Sequence, residues 1–206
     1  MSEEMSPEFA QFEKLALTLL TEWQMYEELF VRAEHEALFR RTGALFWAKL
    51  RYILLDNIIL GIARFFDPPD GRRGNSNRKN LSLRFIVTLP ELSSIRGEVE
   101  KRGEVLWPIY KRGADHWRNG RIGHNDLMNS LEEPLPDIDL KDLEALVDGI
   151  WDIIAFAHHA LGGIQIGRRV NFLGWVPDVV KYLTLGVESE DTKRSLLRAQ
   201  RAEPRT

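Results

Sequence analysis

Cysteine is absent from the 206 residues. Disulfides, thiolate metal sites and Cys–His nucleophile pairs are excluded with it, and a reducing, cytoplasmic compartment is the expected setting. An excess of positive charge is missing too. The formal net charge is -3, so the surface as a whole does not suit nucleic acid, although a local basic site is compatible with that sum. Nor is there an uninterrupted apolar run. The most apolar segment, Ala44 to Phe66, carries Lys49, Arg51, Asp56, Asn57 and Arg64. Each central charge costs roughly 2.5–3.5 kcal/mol on insertion into a bilayer, so no membrane span is expected. The acidic start MSEEMSPEF lacks the basic-then-apolar order of a signal peptide. Finally, GxxxxGK[ST], a strand leading into GxGxxG, and GxSxG are all missing. Walker, Rossmann and α/β-hydrolase chemistry go with them.

What is present is 44% hydrophobic and 29% charged sequence, enough apolar mass for one core. Its periodicity is helical almost throughout. Ser6-Pro7 reads as an N-cap followed by proline at the first helical position. Phe9, Phe12, Leu15, Ala16, Leu19, Trp23, Tyr26 and Phe30 then recur at three- and four-residue steps. Thr42-Gly43 is a break or kink, and a second helix runs from Ala44 to Phe66, where Asp67-Pro68-Pro69 ends it. After a loop, Asn80 caps a short helix ending near Pro90, and a longer helix follows from about Leu92, with a kink expected at Pro108. Asp139 starts another helix, whose apolar face includes Leu143, Leu146, Val147, Ile150, Trp151 and Ile154, ending near Gly162-Gly163. The reading is an all-α protein, an antiparallel four- to five-helix bundle with a short C-terminal extension. Residues 1–165 form the bundle domain, 166–187 a segment packed on it, and the charge-rich 188–206 a flexible tail.

Two regions concentrate nitrogen. The loop DPPDGRRGNSNRKN carries Arg72, Arg73, Arg78 and Lys79 against Asp67 and Asp70. It fits a solvated loop and also an arm that contacts phosphate. The second region, DHWRNGRIGHNDL from Asp115 to Leu127, holds two arginines, two histidines and two asparagines. Metal is not expected there. His116 and His124 lie eight apart with arginines flanking both, and His35, His158 and His159 have no ligand spacing.

Arginine with histidine, without metal or thiol, suits phosphodiester chemistry on RNA. The 2′-hydroxyl is a built-in nucleophile, so a protein need only move protons and neutralise charge. A histidine titrates near neutrality and can take or give the proton. An arginine grips two phosphate oxygens and stabilises charge developing in the transition state.

The run Arg118-Asn119-Gly120-Arg121-Ile122-Gly123-His124 resembles the RxxxxxH form of the motif of the HEPN superfamily, all-helical proteins that include many metal-independent RNases of prokaryotic defence and toxin–antitoxin systems. The continuation Asn125-Asp126 and the upstream IILGIARFFDPP and NLSL are similar to the abortive-infection AbiU-like branch. The likeness covers roughly Leu45 to Asp126. By that resemblance Arg118 and His124 are the catalytic pair and Asn119 fills the polar position after the arginine. No cofactor is implied. The resemblance further implies a homodimer with two sites meeting at the interface, RNA as substrate, and an antitoxin of nucleotidyltransferase type. A non-catalytic helical module that binds RNA or a partner protein is the alternative.

Arg121, Lys111 and Arg112, with Arg72, Arg73, Arg78 and Lys79 of the loop, are candidate RNA contacts. Trp107, Tyr110 and Trp117 fit base stacking or the core. Arg64 and Asp67 read first as a structural ion pair or cap. On an undistorted helix, side chains six apart diverge by about 240°. Arg118 and His124 therefore need either a helix loosened at Gly120 and Gly123 or a second chain. In a purely structural role the arginines would instead pair with carboxylates across the bundle, and His124 would sit at a helix C-terminus.

Overall fold

A computed structural model describes residues 5–70, 79–123, 138–164, 167 and 175–202. The described residues form helices α1 (Pro7–Tyr26), α2 (Glu34–Phe66), α3 (Leu83–Ile86), α4 (Arg96–Arg112), α5 (Ala114–Trp117), α6 (Leu140–Ala160) and α7 (Trp175–Ala202). A 3-10 turn at Pro90–Leu92 and π-helical turns at Glu27–Val31 and Arg118–Gly123 complete them. No strand occurs among the described residues, only an isolated antiparallel bridge from Asp70 to Lys79. The fold is all-α, as the periodicity requires. By compactness the chain divides into two units, one of residues 1–23 and 54–170, the other of 24–53 and 171–206.

The first unit holds the candidate site. Ser6 starts α1 by accepting the Phe9 N–H on its Oγ at 3.2 Å. The buried face of α1 is Phe9, Phe12, Ala16, Leu19 and Trp23, at helical spacing. The C-terminal part of α2 adds Ile58, Ile59 and Ile62, all fully buried. The two helices approach closely at Gly61, where a Cβ would lie 3.0 Å from Leu19 Cδ1. Helices α4 and α6 meet still more tightly, since a Cβ on Gly149 would fall 2.4 Å from Leu106 Cδ2. Arg102 lies over the Phe156 ring at 4.5 Å across the same contact. Asp139 caps α6 by accepting the Lys141 N–H at 2.9 Å, and Gly162 ends it with φ of 84°, a conformation that favours glycine. Pro108 sits within α4 without ending it.

In the second unit the stretch after Tyr26 continues as the π turn, and the chain leaves helical geometry at Arg32, with ψ of 111°. Helix α2 then begins at Glu34 and kinks at Gly43, where φ is 131°. The kink stands where the sequence places a break, but the interruption at Arg32 has no glycine or proline to announce it. Phe39 stacks on Trp47 at 4.1 Å, and Trp47 Nε1 donates to Thr42 Oγ1 at 3.0 Å. Helix α7 runs on through Ala202, over residues whose charge predicts a flexible tail. Glu, Lys, Arg and Leu are good helix formers, and Arg194 pairs with Glu190 one turn away at 3.0 Å.

One cap differs from the sequence reading. Asn80 does not cap α3; its side chain donates to the Pro68 carbonyl at 2.9 Å and its N–H to that of Pro69 at 2.7 Å. Those bonds tie Asn80 to Pro68 and Pro69, and the residue at the cap position of α3 is Ser82.

Candidate active site

Arg118 opens the π-helical turn that follows α5. Such turns are rare and recur at functional sites. Gly120 and Gly123 lie within this one, so Arg118–Gly123 departs from α geometry. His124, the motif's histidine, lies outside the described residues, as do Arg72, Arg73 and Arg78. No side-chain placement is described for Arg121.

The Arg118 guanidinium has two anchors. One terminal nitrogen donates to Asp67 Oδ1 at 2.7 Å, and the other reaches the Tyr110 hydroxyl at 3.5 Å. Arg118 is 26% exposed and Asp67 19%. Asp67 is the residue at which the prolines terminate α2, so the signal that ends one helix also delivers a carboxylate to the motif. The expected Arg64–Asp67 pair gives way to this longer-range one. Burial opposes the Arg118 charge, but the Tyr110 hydroxyl and Asp67 outweigh it and hold its pKa above the ordinary arginine value. A guanidinium has five N–H donors. Among the described residues, one of these goes to each anchor.

Tyr110 is the hub that sequence reading leaves between base stacking and core. It is buried, with its ring stacked on Phe66 at 4.6 Å and 17°. Its hydroxyl donates to Asp115 Oδ1 at 3.1 Å while facing Arg118. Burial pushes its pKa up to about 12, the Arg118 hydrogen bond opposing. The hydroxyl is therefore protonated near neutrality and serves as a bridge rather than a base.

Asp115 collects three donors: Tyr110, the Lys111 ammonium on its other oxygen, and Asn119 Nδ2 at 3.2 Å. Burial alone would raise its pKa, but Lys111 and Tyr110, with Asn119, bring it below the usual carboxylate value. The Lys111–Asp115 and Asp115–Asn119 spacings are each one helical turn and could be read from sequence. The five-residue step from Tyr110 to Asp115, and the reach from Asp67 to Arg118, could not.

The remaining cations have other contacts. Arg112 forks Asp142 through two bonds, at 2.5 and 2.9 Å, so that carboxylate already takes its bidentate face. Burial is negligible there, and the hydrogen bond to Asp142 raises the Arg112 pKa. Lys79 lies over the Phe85 ring at 5.7 Å. His116 is exposed, and His158 pairs with Glu13 at 2.9 Å. Among the described residues no three His, Cys, Asp or Glu side chains gather as a metal-binding group, and no helix is long and apolar enough to cross a membrane.

The model of the AbiU2 HEPN family matches residues 2–174. The chain belongs to that family, which is of the abortive-infection type. No curated protein and no solved structure matches it.

Proposed function

We propose that the chain is a metal-independent endoribonuclease of a phage-defence or toxin–antitoxin system, acting in the cytoplasm as a homodimer. The observation that supports this most is the state of Arg118. Its guanidinium is oriented by Asp67 and Tyr110 and is partly open to solvent. An arginine so held can bind a phosphate without first being reorganised, which is where electrostatic catalysis gains most.

In the proposed reaction, the His124 imidazole takes the proton of a ribose 2′-hydroxyl. O2′ then attacks the adjacent phosphorus, Arg118 stabilises the negative charge on the non-bridging oxygens, and the P–O5′ bond breaks. The leaving O5′ receives a proton from imidazolium, so the products are a 2′,3′-cyclic phosphate and a 5′-hydroxyl. Asn119 fixes the turn through Asp115. Arg121 and Lys111, with Arg72, Arg73, Arg78 and Lys79 of the basic loop, hold the RNA backbone; Arg112 joins them only by exchanging Asp142 for phosphate. A toxin of this kind requires an antitoxin, for which a nucleotidyltransferase-type partner is proposed.

The Asp67–Arg118 pair also favours a second reading, in which the motif is internally neutralised and the chain binds RNA or a partner protein without cutting. A matched pair of oligonucleotides separates the two. Under the first reading an all-RNA strand is cut in excess chelator, with cyclic phosphate ends, and a strand with 2′-deoxyribose at every position is bound but left intact. Binding of both without cleavage supports the second reading.

A further inference from the structure

Beside the Arg118 network lies a groove of about 570 Å³ between the α3 segment and α4, within the range of small-molecule sites. Its apolar wall includes Phe66, Leu83, Val87 and Trp107. It adjoins the candidate active site through buried Tyr110, against which Phe66 and Trp107 both pack, at 4.6 and 5.6 Å between ring centroids. The Tyr110 hydroxyl in turn meets Arg118. The groove thus begins one ring away from the proposed phosphate site.

Three features identify an occupant. Trp107 is 37% exposed although it faces this groove, and the Arg84 guanidinium lies 5.4 Å from its ring centroid. Indole and guanidinium both stack on the face of a nucleobase. On the same side of α4, one helical turn apart, Glu100 and Glu104 border the groove as exposed carboxylates. Two carboxylates repel a phosphate, so the groove suits a base rather than the backbone. Ionised carboxylates only accept hydrogen bonds. Guanine alone among the four bases presents two adjacent N–H donors, from its ring N1 and exocyclic N2, matching the two oxygens of one carboxylate. Its O6 and N7 accept from an arginine fork, which Arg84 supplies.

We infer that this groove is a subsite for the base next to the scissile phosphate, with guanine preferred, Trp107 as stacking platform and Glu100, Glu104 and Arg84 reading its edges. The inference rests on the ribonuclease reading and names the sequence preference of that activity.

The test is calorimetric titration of the full chain with guanosine, adenosine, cytidine and uridine 3′-monophosphates, alongside cleavage of a mixed-sequence RNA. Guanosine 3′-monophosphate is expected to bind most tightly. Trp107→Ala should weaken it by about 5- to 150-fold, the loss of one stacked base. The double variant Glu100→Gln/Glu104→Gln should erase the preference for guanosine over the other three. Gly103 also borders the groove, and a Cβ there would only touch Leu83 Cδ1, at 4.0 Å. Gly103→Leu therefore fills the space while leaving every proposed recognition group in place, and should weaken binding of all four. Equal affinity for the four nucleotides, or indifference to both Trp107→Ala and Gly103→Leu, overturns the subsite. RNA cleavage that persists beside that result leaves the ribonuclease reading standing. Guanosine-selective binding with no RNA cleavage overturns the ribonuclease reading and leaves a guanine site.

Discussion

Replacing Asp67 by asparagine removes the carboxylate that holds Arg118 at 2.7 Å, while keeping the volume and one acceptor oxygen. Exposed ion pairs contribute about 0–1 kcal/mol, and breaking a fully buried one costs about 3–5. At 26% and 19% exposure this pair stands between, so a loss of about 1–2 kcal/mol is expected, discounted from the buried limit because water reaches both groups. Two consequences should separate. Urea unfolding followed by far-ultraviolet circular dichroism should show the stability loss, and a double-mutant cycle with Arg118→Ala should assign most of it to the pair. Single-turnover cleavage of RNA should slow by about 10- to 100-fold, the scale of a misplaced catalytic group, with little change in the RNA concentration giving half-maximal rate. That pattern follows if Asp67 orients an arginine that still has free donors. Faster cleavage or tighter RNA binding in Asp67→Asn would refute it, showing that Asp67 competes with phosphate and locks the arginine away.

Three further outcomes are expected. Asp115 has its pKa depressed by Lys111, Tyr110 and Asn119 against the effect of burial. It therefore contributes stability that is present above about pH 4 and is lost as pH falls through its folded value. Asp115→Asn should be less stable than wild type at pH 7 and lose less on acidification; parallel pH–stability curves would contradict this. Gly149→Ala places a Cβ 2.4 Å from Leu106 Cδ2 in the α4–α6 contact. Thermal unfolding should show a cost of about 1–3 kcal/mol for the overpacking, and an unchanged midpoint would mean that the helices do not approach so closely. Tyr110→Phe keeps the stack on Phe66 but deletes the bridge between Arg118 and Asp115. A stability loss of about 1–2 kcal/mol with reduced cleavage is expected, and a variant indistinguishable from wild type in both would remove Tyr110 from the site.

The fold was legible wherever the physics is local. The apolar spacing of α1 and α6, the Asp139 cap, the Gly162 stop and the proline end of α2 all act over a few residues, and sequence reading finds each. The break at Arg32 escaped because neither glycine nor proline marks it. The grouping of residues 24–53 with the C-terminal stretch escaped because it depends on packing between distant segments. At the candidate site the split is the same. Arg118 and Asn119 are visible as a motif, and Asp115 lies one turn from Lys111 and from Asn119. What periodicity could not assign was Tyr110, whose ring packs like core while its hydroxyl serves the motif. Asp67, fifty-one positions before Arg118, looked like a helix terminator and acts as its counter-ion. The groove at Trp107 needed a third dimension altogether, since the end of α2, α3 and α4 form it together.

The most direct measurement is cleavage of a 5′-labelled RNA by wild type, Arg118→Ala and His124→Ala in excess chelator, with circular dichroism confirming that each variant is folded. Wild type should produce fragments ending in 2′,3′-cyclic phosphate, and both variants should fall by at least about 100-fold, the scale of losing a general acid–base or charge-stabilising group. Cleavage that requires added magnesium, or a folded His124→Ala that cuts at the wild-type rate, would contradict the account.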